Sequence, residues 1–424
     1  MNCIEQIFKS TYQESAVSNI DGWLFTDFTN KDSITKELLS IPEDLFPTRR
    51  WIYIVLANNK DSIKISHAIE SDILCHLPAT QEFTYSSYDE LNKILKQFSN
   101  KTFAVLSDIN LPVISTVDGG FIDLLHSHQI NTVSAASLIQ RCKGLLSPAG
   151  INSHERASVM LYKIAEATWN FIIKHYEEKK ALTEADTAAF IMKKFIDYNL
   201  RTSHAPIVAF GKNTANPHYQ VPPSGGAVAK EGDTIQIDMW AKERIAPDDY
   251  GRNTAESAIY ADISIVGVYS SAPDSEQEKM FETIKTARNN VVSVLEEAFE
   301  DKRKITGAQI DLATRKIISD AGYGSCIMHR TGHGIDTNCH GSGVNLDGTE
   351  FPDNRTILRG SCFSVEPGIY TNEAGMRTEI NVYISENDIP VISGIKYNTN
   401  KENGIKIPQE KILTIKDRFN ENCY

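Results

Sequence analysis

Five ionisable residues, Asp238, Asp262, His333, Glu366 and Glu379, stand in strings where charged groups are uncommon. Asp262 lies in the apolar run IYADISIVGV, His333 in GHGID, Glu366 in SVEPGIY and Glu379 in RTEIN. Charged side chains are seldom buried without a partner. A fold that sinks these strings into a core must therefore also neutralise them. Taken singly, an aspartate in a strand is more often a hydrogen-bonded structural residue than a ligand. Taken together, buried carboxylates this dense repel one another by several kcal/mol unless cations lie between them. Four carboxylates balance two divalent ions, and hard oxygen donors suit an ion such as Mn²⁺. Two such ions, roughly 3.5–4 Å apart, can share a water and deliver it as hydroxide to an amide carbonyl. The pattern points to a hydrolase.

These strings resemble the creatinase/methionine-aminopeptidase clan of M24-type metallopeptidases, in its aminopeptidase P and prolidase branch. The resemblance implies ligands in the order Asp238 (in IQIDMWAKE), Asp262, His333, Glu366 and Glu379. It implies two divalent metal ions, Mn²⁺ first, with Co²⁺ or Zn²⁺ as alternatives. Asp238 and Glu379 would bridge them, with Asp262 completing one side and His333 and Glu366 the other. Glu366 would also shuttle a proton to the leaving nitrogen. His329 and His340 would hold the substrate carbonyl and the tetrahedral intermediate, since a donor aimed at developing oxyanion charge favours the transition state. His218, in NPHYQ, would contact the leaving-group side. Arg377, two residues before Glu379, is expected on the same strand face. It is read either as a clamp on the carboxylates or as an ordinary surface arginine.

The activity implied is that of an Xaa-Pro aminopeptidase acting on peptides with proline at the second position. The leaving nitrogen is then a tertiary amide without N–H, so the site must pack the pyrrolidine ring; Tyr219 and Trp240 are candidates for that wall. An Xaa-Pro dipeptidase (prolidase) uses the same residues and stays open as the alternative. A silent peptide-binding member of the fold is disfavoured because all five ligands are present. Two features depart from the family pattern. Asp238 and Asp262 are separated by the polar stretch ERIAPDDYGRNTAE, which fits a long hairpin loop, since loop growth costs only about 0.6 kcal/mol per doubling. Asp248 and Asp249 in that stretch are the competing ligand candidates. Trp240 and Lys242 also stand beside the first ligand where relatives often have small residues.

At 424 residues the chain is longer than one core usually supports. The expected fold is an α+β pita-bread catalytic domain over 151–424, preceded by an α/β creatinase-like domain over 1–150, with the boundary at SPAGI (147–151). In the first part WLFTDF, WIYIVLA and TFAVLSD read as strands, alternating with the helix-like SYDELNKILKQF and GGFIDLLHSH. In the second, strands are expected at 233–240, 257–268, 361–366 and 378–384. Capping boxes are expected at Thr306 with Gln309 and at Ser275 with Glu278, with Gly322 as a helix stop.

A formal net charge of −12 leaves no basic surplus for phosphates and argues against a nucleic-acid partner. The longest apolar run, WIYIVLA, is too short for a bilayer, so no membrane partner is expected. The N-terminus shows no signal-peptide core, and seven scattered cysteines suggest reduced thiols in the cytoplasm. Cys326 and Cys339 flank the histidines, but each lacks a second cysteine at zinc-site spacing, so both are expected to be structural. Glu350 and Asp353, in the polar DGTEFPDN, are expected to be solvated. A homodimer is implied by the resemblance alone.

Overall fold

The computed structural model describes residues 3–42, 45–244, 258–395 and 409–419. The chain divides between Lys143 and Gly144 into two compact units.

The first unit is built on a six-stranded sheet. Its strands are β1 (Gly22–Asp27), β2 (Trp51–Leu56), β3 (Ser62–His67), β4 (Gln81–Tyr85), β5 (Thr102–Val105) and β6 (Asn131–Ser134), in the spatial order β4-β3-β2-β1-β5-β6. The β1–β2 and β2–β3 pairs are antiparallel; β3–β4, β1–β5 and β5–β6 are parallel. WLFTDF and WIYIVLA form the two central strands. They are apolar on both faces because both faces are covered. Trp23, Phe25, Tyr53 and Val55 pack to one side, and Leu24, Ile52 and Ile54 to the other. The two helix-like stretches are α1 (Tyr88–Leu95), capped by Ser87, and α2 (Gly119–Ser127), capped by Asp118.

The second unit opens with α3 (Pro148–Glu177). The Ser147 hydroxyl accepts from the Gly150 amide at 3.1 Å, and Pro148 fills the first turn, where its missing N–H costs nothing. SPAGI is thus the start of a helix. With α4 (Glu184–Asp197), α3 covers a sheet of β7 (Leu200–Arg201), β8 (Ile207–Phe210), β9 (Thr234–Glu243) and β10 (Ala261–Val268), through a core that includes Leu161, Trp169, Ile191, Phe195, Ile237 and Ile263. A second layer pairs α5 (Ser275–Glu300) and α6 (Gly307–Ile318) with β11 (Cys362–Val365), β14 (Ile380–Ile384) and β15 (Pro390–Ile392). The short strands β12 (Gly368–Tyr370) and β13 (Gly375–Arg377) pair with each other.

Thr306 and Gln309 cap α6 reciprocally, and Gly322 takes a left-handed φ of +95° in the turn that ends it. The cap of α5 lies one residue earlier than expected. Asp274, not Ser275, accepts from the Glu276 and Gln277 amides at 2.9 and 2.8 Å, and Gln277 returns the bond. A carboxylate at the positive end of a helix outcompetes the neutral serine.

Glu350 is exposed as expected, but Asp353 is fully buried. Its Oδ2 accepts from Arg355 Nη2 at 2.6 Å and from the Asn345 amide at 2.8 Å. The arginine two residues on folds back over it, so charge pairing makes burial tolerable. Asp248 and Asp249 lie outside the described residues. Removing Asp353 leaves Arg355 buried without its counter-ion. Asp353→Ala should therefore lower stability by about 3–5 kcal/mol, read from the urea midpoint; a loss below about 1 kcal/mol would contradict the pairing.

Candidate metal centre

The long hairpin places the first two carboxylates. β9 and β10 run antiparallel with Asp238 opposite Ser264 and Trp240 opposite Asp262. Residues directly opposite, and residues two apart, share a sheet face. Asp238, Trp240, Asp262 and Ser264 therefore project together.

The other three candidates lie just beyond strand ends or in loops, each fixed by a backbone bond to a different segment. Glu366 follows β11, and its amide donates to Thr331 O at 2.8 Å. Glu379 precedes β14, and its amide donates to Ser264 O at 3.1 Å. The His333 amide donates to Ser364 Oγ at 2.9 Å. Gly332 and Gly334 are needed here for close approach rather than for turning. A Cβ on Gly332 would stand 2.0 Å from Ser364 O, and one on Gly334 would stand 2.7 Å from Gly343 C.

These segments bring all five side chains together. Ligand atoms of Asp238, Asp262 and Glu379 lie within 4.8 Å of one another, as do those of His333, Glu366 and Glu379. His333 Nε2 is 3.5 Å from both Asp262 Oδ2 and Glu366 Oε1. His333 Nδ1 is 3.2 Å from Gly334 O. Donation to that carbonyl fixes the tautomer and turns the Nε2 lone pair toward the carboxylates, as in a metal ligand.

Asp238, Asp262 and Glu379 are each nine-tenths buried or more, and each has one buried oxygen without a hydrogen-bond partner: Asp238 Oδ1, Asp262 Oδ1 and Glu379 Oε1. Orphaned buried acceptors are costly, and three aimed into one space fit cations. The electrostatics agree. Burial, then Asp262 and Glu366, push Asp238 up to about 7 against the pull of Arg377. Burial and the neighbouring carboxylates raise Glu379 well above the usual range. Glu366 moves the other way: burial raises it, but His333, His329 and Arg377 together outweigh that. The protein alone cannot keep this set ionised, whereas two divalent ions would. The donor set therefore fits two hard or borderline cations.

Arg377 is buried, so the surface reading fails. Its guanidinium meets Asp238 Oδ2 at 2.5 Å, Ser264 Oγ at 3.2 Å, Pro217 O at 3.3 Å and Tyr370 Oη at 3.1 Å. It ends β13 while Glu379 precedes β14, so the shared-strand argument does not hold. The arginine reaches the cluster from its own hairpin.

The three further histidines separate. The His340 ring lies 4.3 Å from that of His333, nearly perpendicular to it, and His340 is exposed. Repulsion between the two rings when both carry a proton, then partial desolvation, lowers its pKa to about 4. His218 is exposed on a loop whose Pro217 carbonyl is held by Arg377. His329 spends both ring nitrogens on protein: Nδ1 on Arg330 O at 2.7 Å and Nε2 on Tyr370 Oη at 2.8 Å. In this structure it therefore supports Tyr370 and is not free to hold a substrate carbonyl. Tyr219 is a poor apolar wall, because its hydroxyl donates to Glu184 Oε2 at 2.7 Å. Half-buried Trp240 remains beside Asp262.

Sequence reasoning missed Ser264, whose hydroxyl donates to Glu379 Oε2 at 2.8 Å; strand alternation from Asp262 could have found it. It missed Tyr370, which carries no charge to betray it. It also set aside Cys339, whose Sγ lies 3.0 Å from Asp262 Oδ2.

The profile of metallopeptidase family M24 matches residues 154–386. An Xaa-Pro dipeptidase of Lactobacillus helveticus is 28% identical over 256 residues, covering 58% of this chain and 59% of that protein. A putative Xaa-Pro aminopeptidase of Mycoplasma genitalium is 27% identical over 261 residues, covering 60% of this chain and 63% of that protein. The chain thus spans less than two thirds of the length of these curated relatives. The crystal structure of dipeptidase PepE from Mycobacterium ulcerans superposes with a TM-score of 0.69 at 17% identity, over 98% of each chain. That likeness identifies the α+β pita-bread fold with an N-terminal domain.

Calorimetric titration of the chelated protein with Mn²⁺ or Co²⁺ should saturate at two ions. Loading at about 100 times Kd should add about 2.7 kcal/mol of stability for each ion bound. Glu379→Gln should lose that gain yet leave the metal-free protein no less stable, because it removes a source of like-charge crowding. A metal-free Glu379→Gln protein markedly less stable than wild type would count against this account.

Proposed function

The chain belongs to metallopeptidase family M24, and we propose that it hydrolyses Xaa-Pro peptides, as an Xaa-Pro dipeptidase first. It is a hydrolase. The observation that carries the catalytic reading is the convergence of five donors with three orphaned buried carboxylate oxygens. The dipeptidase preference draws on the relatives named Xaa-Pro dipeptidase. The aminopeptidase reading expected from the sequence stays second, supported by the relative of that name.

Two divalent ions held by Asp238, Asp262, His333, Glu366 and Glu379 would polarise the scissile carbonyl and acidify a water between them. Manganese is the first choice on the hardness of the oxygen donors. The remaining chemistry falls to the chain. Glu366 is the least buried of the five, with 14% of its side chain exposed, and it is the group assigned the proton transfer. It takes the proton of the attacking water and returns it to the prolyl nitrogen, which becomes an amine as the C–N bond breaks. His340 is neutral at pH 7 and open to solvent, so its N–H can meet the oxyanion. His218 faces the leaving group from the loop that Arg377 holds.

Arg377 sets the geometry rather than touching substrate: one guanidinium bonds Asp238, Ser264 and Tyr370. His329 acts through Tyr370 in the same way. A homodimer rests on the family resemblance. A reducing compartment draws support from the free thiols of Cys75, Cys326, Cys339 and Cys362.

The test is to chelate the protein, restore Mn²⁺, Co²⁺ or Zn²⁺, and time hydrolysis of Xaa-Pro, Xaa-Pro-Xaa and Met-Ala-Xaa peptides. The dipeptide should be cleaved fastest. Preference for Xaa-Pro-Xaa would move the assignment to aminopeptidase, and inactivity with every ion would leave a binding module. His340→Ala should keep both ions while kcat falls about 10²–10³-fold; wild-type turnover would remove the oxyanion role.

A further inference from the structure

A nucleophilic side chain at this centre has no part in the mechanism above. Cys339 Sγ, a carboxylate oxygen of Asp262 and a ring nitrogen of His333 lie within 4.8 Å of one another. Sulfur bonds such ions at about 2.3 Å and imidazole or carboxylate donors at about 2.0–2.2 Å. Donors sharing one ion therefore stand at most about 4.5 Å apart, and the triad is within a few tenths of an ångström of that limit. Asp262 contributes a second, independent sign. It is 5% exposed, and while Oδ2 faces the thiol, Oδ1 is buried without a partner. A thiol serving only to satisfy Asp262 would leave that oxygen orphaned; an ion between the three groups would not.

We propose that Cys339 is a sulfur donor to the ion on the Asp262 side, giving the two positions unequal character. The inference rests on the metal-centre reading and adds to it a residue that departs from an all-oxygen-and-imidazole set. On binding, the S–H bond is lost, its proton passes to solvent, and the sulfur lone pair forms the bond to the metal. The physical consequence is selectivity. Thiolate is a soft ligand that favours Zn²⁺ or Co²⁺ over Mn²⁺, whereas the side defined by the carboxylates of Glu366 and Glu379 keeps harder donors. The centre then takes a borderline ion beside Cys339 and tolerates a harder one opposite. The surroundings suit a ligand role, for Cys339 sits half-buried at the edge of a small apolar cluster that limits water around the sulfur.

The test uses the full chain, chelated and then titrated with Co²⁺ without oxygen. Wild type and Cys75→Ser, which alters an exposed thiol, should show a sulfur-to-cobalt charge-transfer band in the near ultraviolet; Cys339→Ser should lose it while still binding two ions. Competition calorimetry should show the Zn²⁺-over-Mn²⁺ preference of Cys339→Ser falling by about tenfold or more. Should that variant fold poorly, alkylation of the wild-type protein serves instead, since bound Co²⁺ should protect Cys339 from iodoacetamide in mass-spectrometric mapping. Two ions bound with no charge-transfer band, a band that survives in Cys339→Ser, or unprotected Cys339 in the loaded protein would each overturn the proposal and leave the five-residue centre standing. Failure to bind Co²⁺ at all would overturn both.

Discussion

Mutual repulsion among buried carboxylates is the constraint on which the catalytic unit depends. Asp238, Asp262 and Glu379 are held at 8% exposure or less, where their charges are poorly screened. Arg377 offsets part of this through its bond to Asp238. One guanidinium cannot balance four carboxylates, and the raised pKa values of Asp238 and Glu379 record the remainder. The site is destabilised by its own composition until cations enter. That is a common arrangement at functional sites, where local strain is sustained by the surrounding fold.

The fold sustains it by anchoring each ligand to a segment distant in sequence. Glu366 is tied by its amide to the histidine loop, Glu379 to β10, and His333 to the serine before β11's end. The α3/α4 layer supplies the two aspartates from paired strands, and the α5/α6 layer supplies the remaining three. Neither half holds a complete centre. Ordering these groups before an ion arrives reduces what binding must spend on rearrangement.

A second network stiffens the rim. Arg377 donates to Tyr370, Tyr370 meets His329, and His329 meets the Arg330 carbonyl. With Nδ1 bonded to a carbonyl, His329 presents Nε2 as an acceptor, which directs the tyrosine proton and leaves the phenol oxygen for Arg377. Each group in the chain fixes the next, so the clamp on Asp238 has a defined position without touching substrate. The same guanidinium holds Pro217, and through it the loop of His218.

Much of this was legible in the residues. Charged groups within apolar strings marked Asp262, His333, Glu366 and Glu379, because such groups survive burial only with partners. Alternation located the strands, and the central strands of the first unit announced themselves as unbroken apolar runs. Other features depend on contacts between segments far apart in sequence, which no local pattern encodes. Asp353 looked solvated until Arg355 folded over it. Arg377 was ambiguous because its hairpin, not its strand period, carries it inward. Tyr370 and Cys339 bear no charge, so only their packing beside His329 and Asp262 reveals them. Local pattern determined which residues needed a partner; tertiary structure alone decided which partner each one received, because that choice is made by backbone pairing between distant strands.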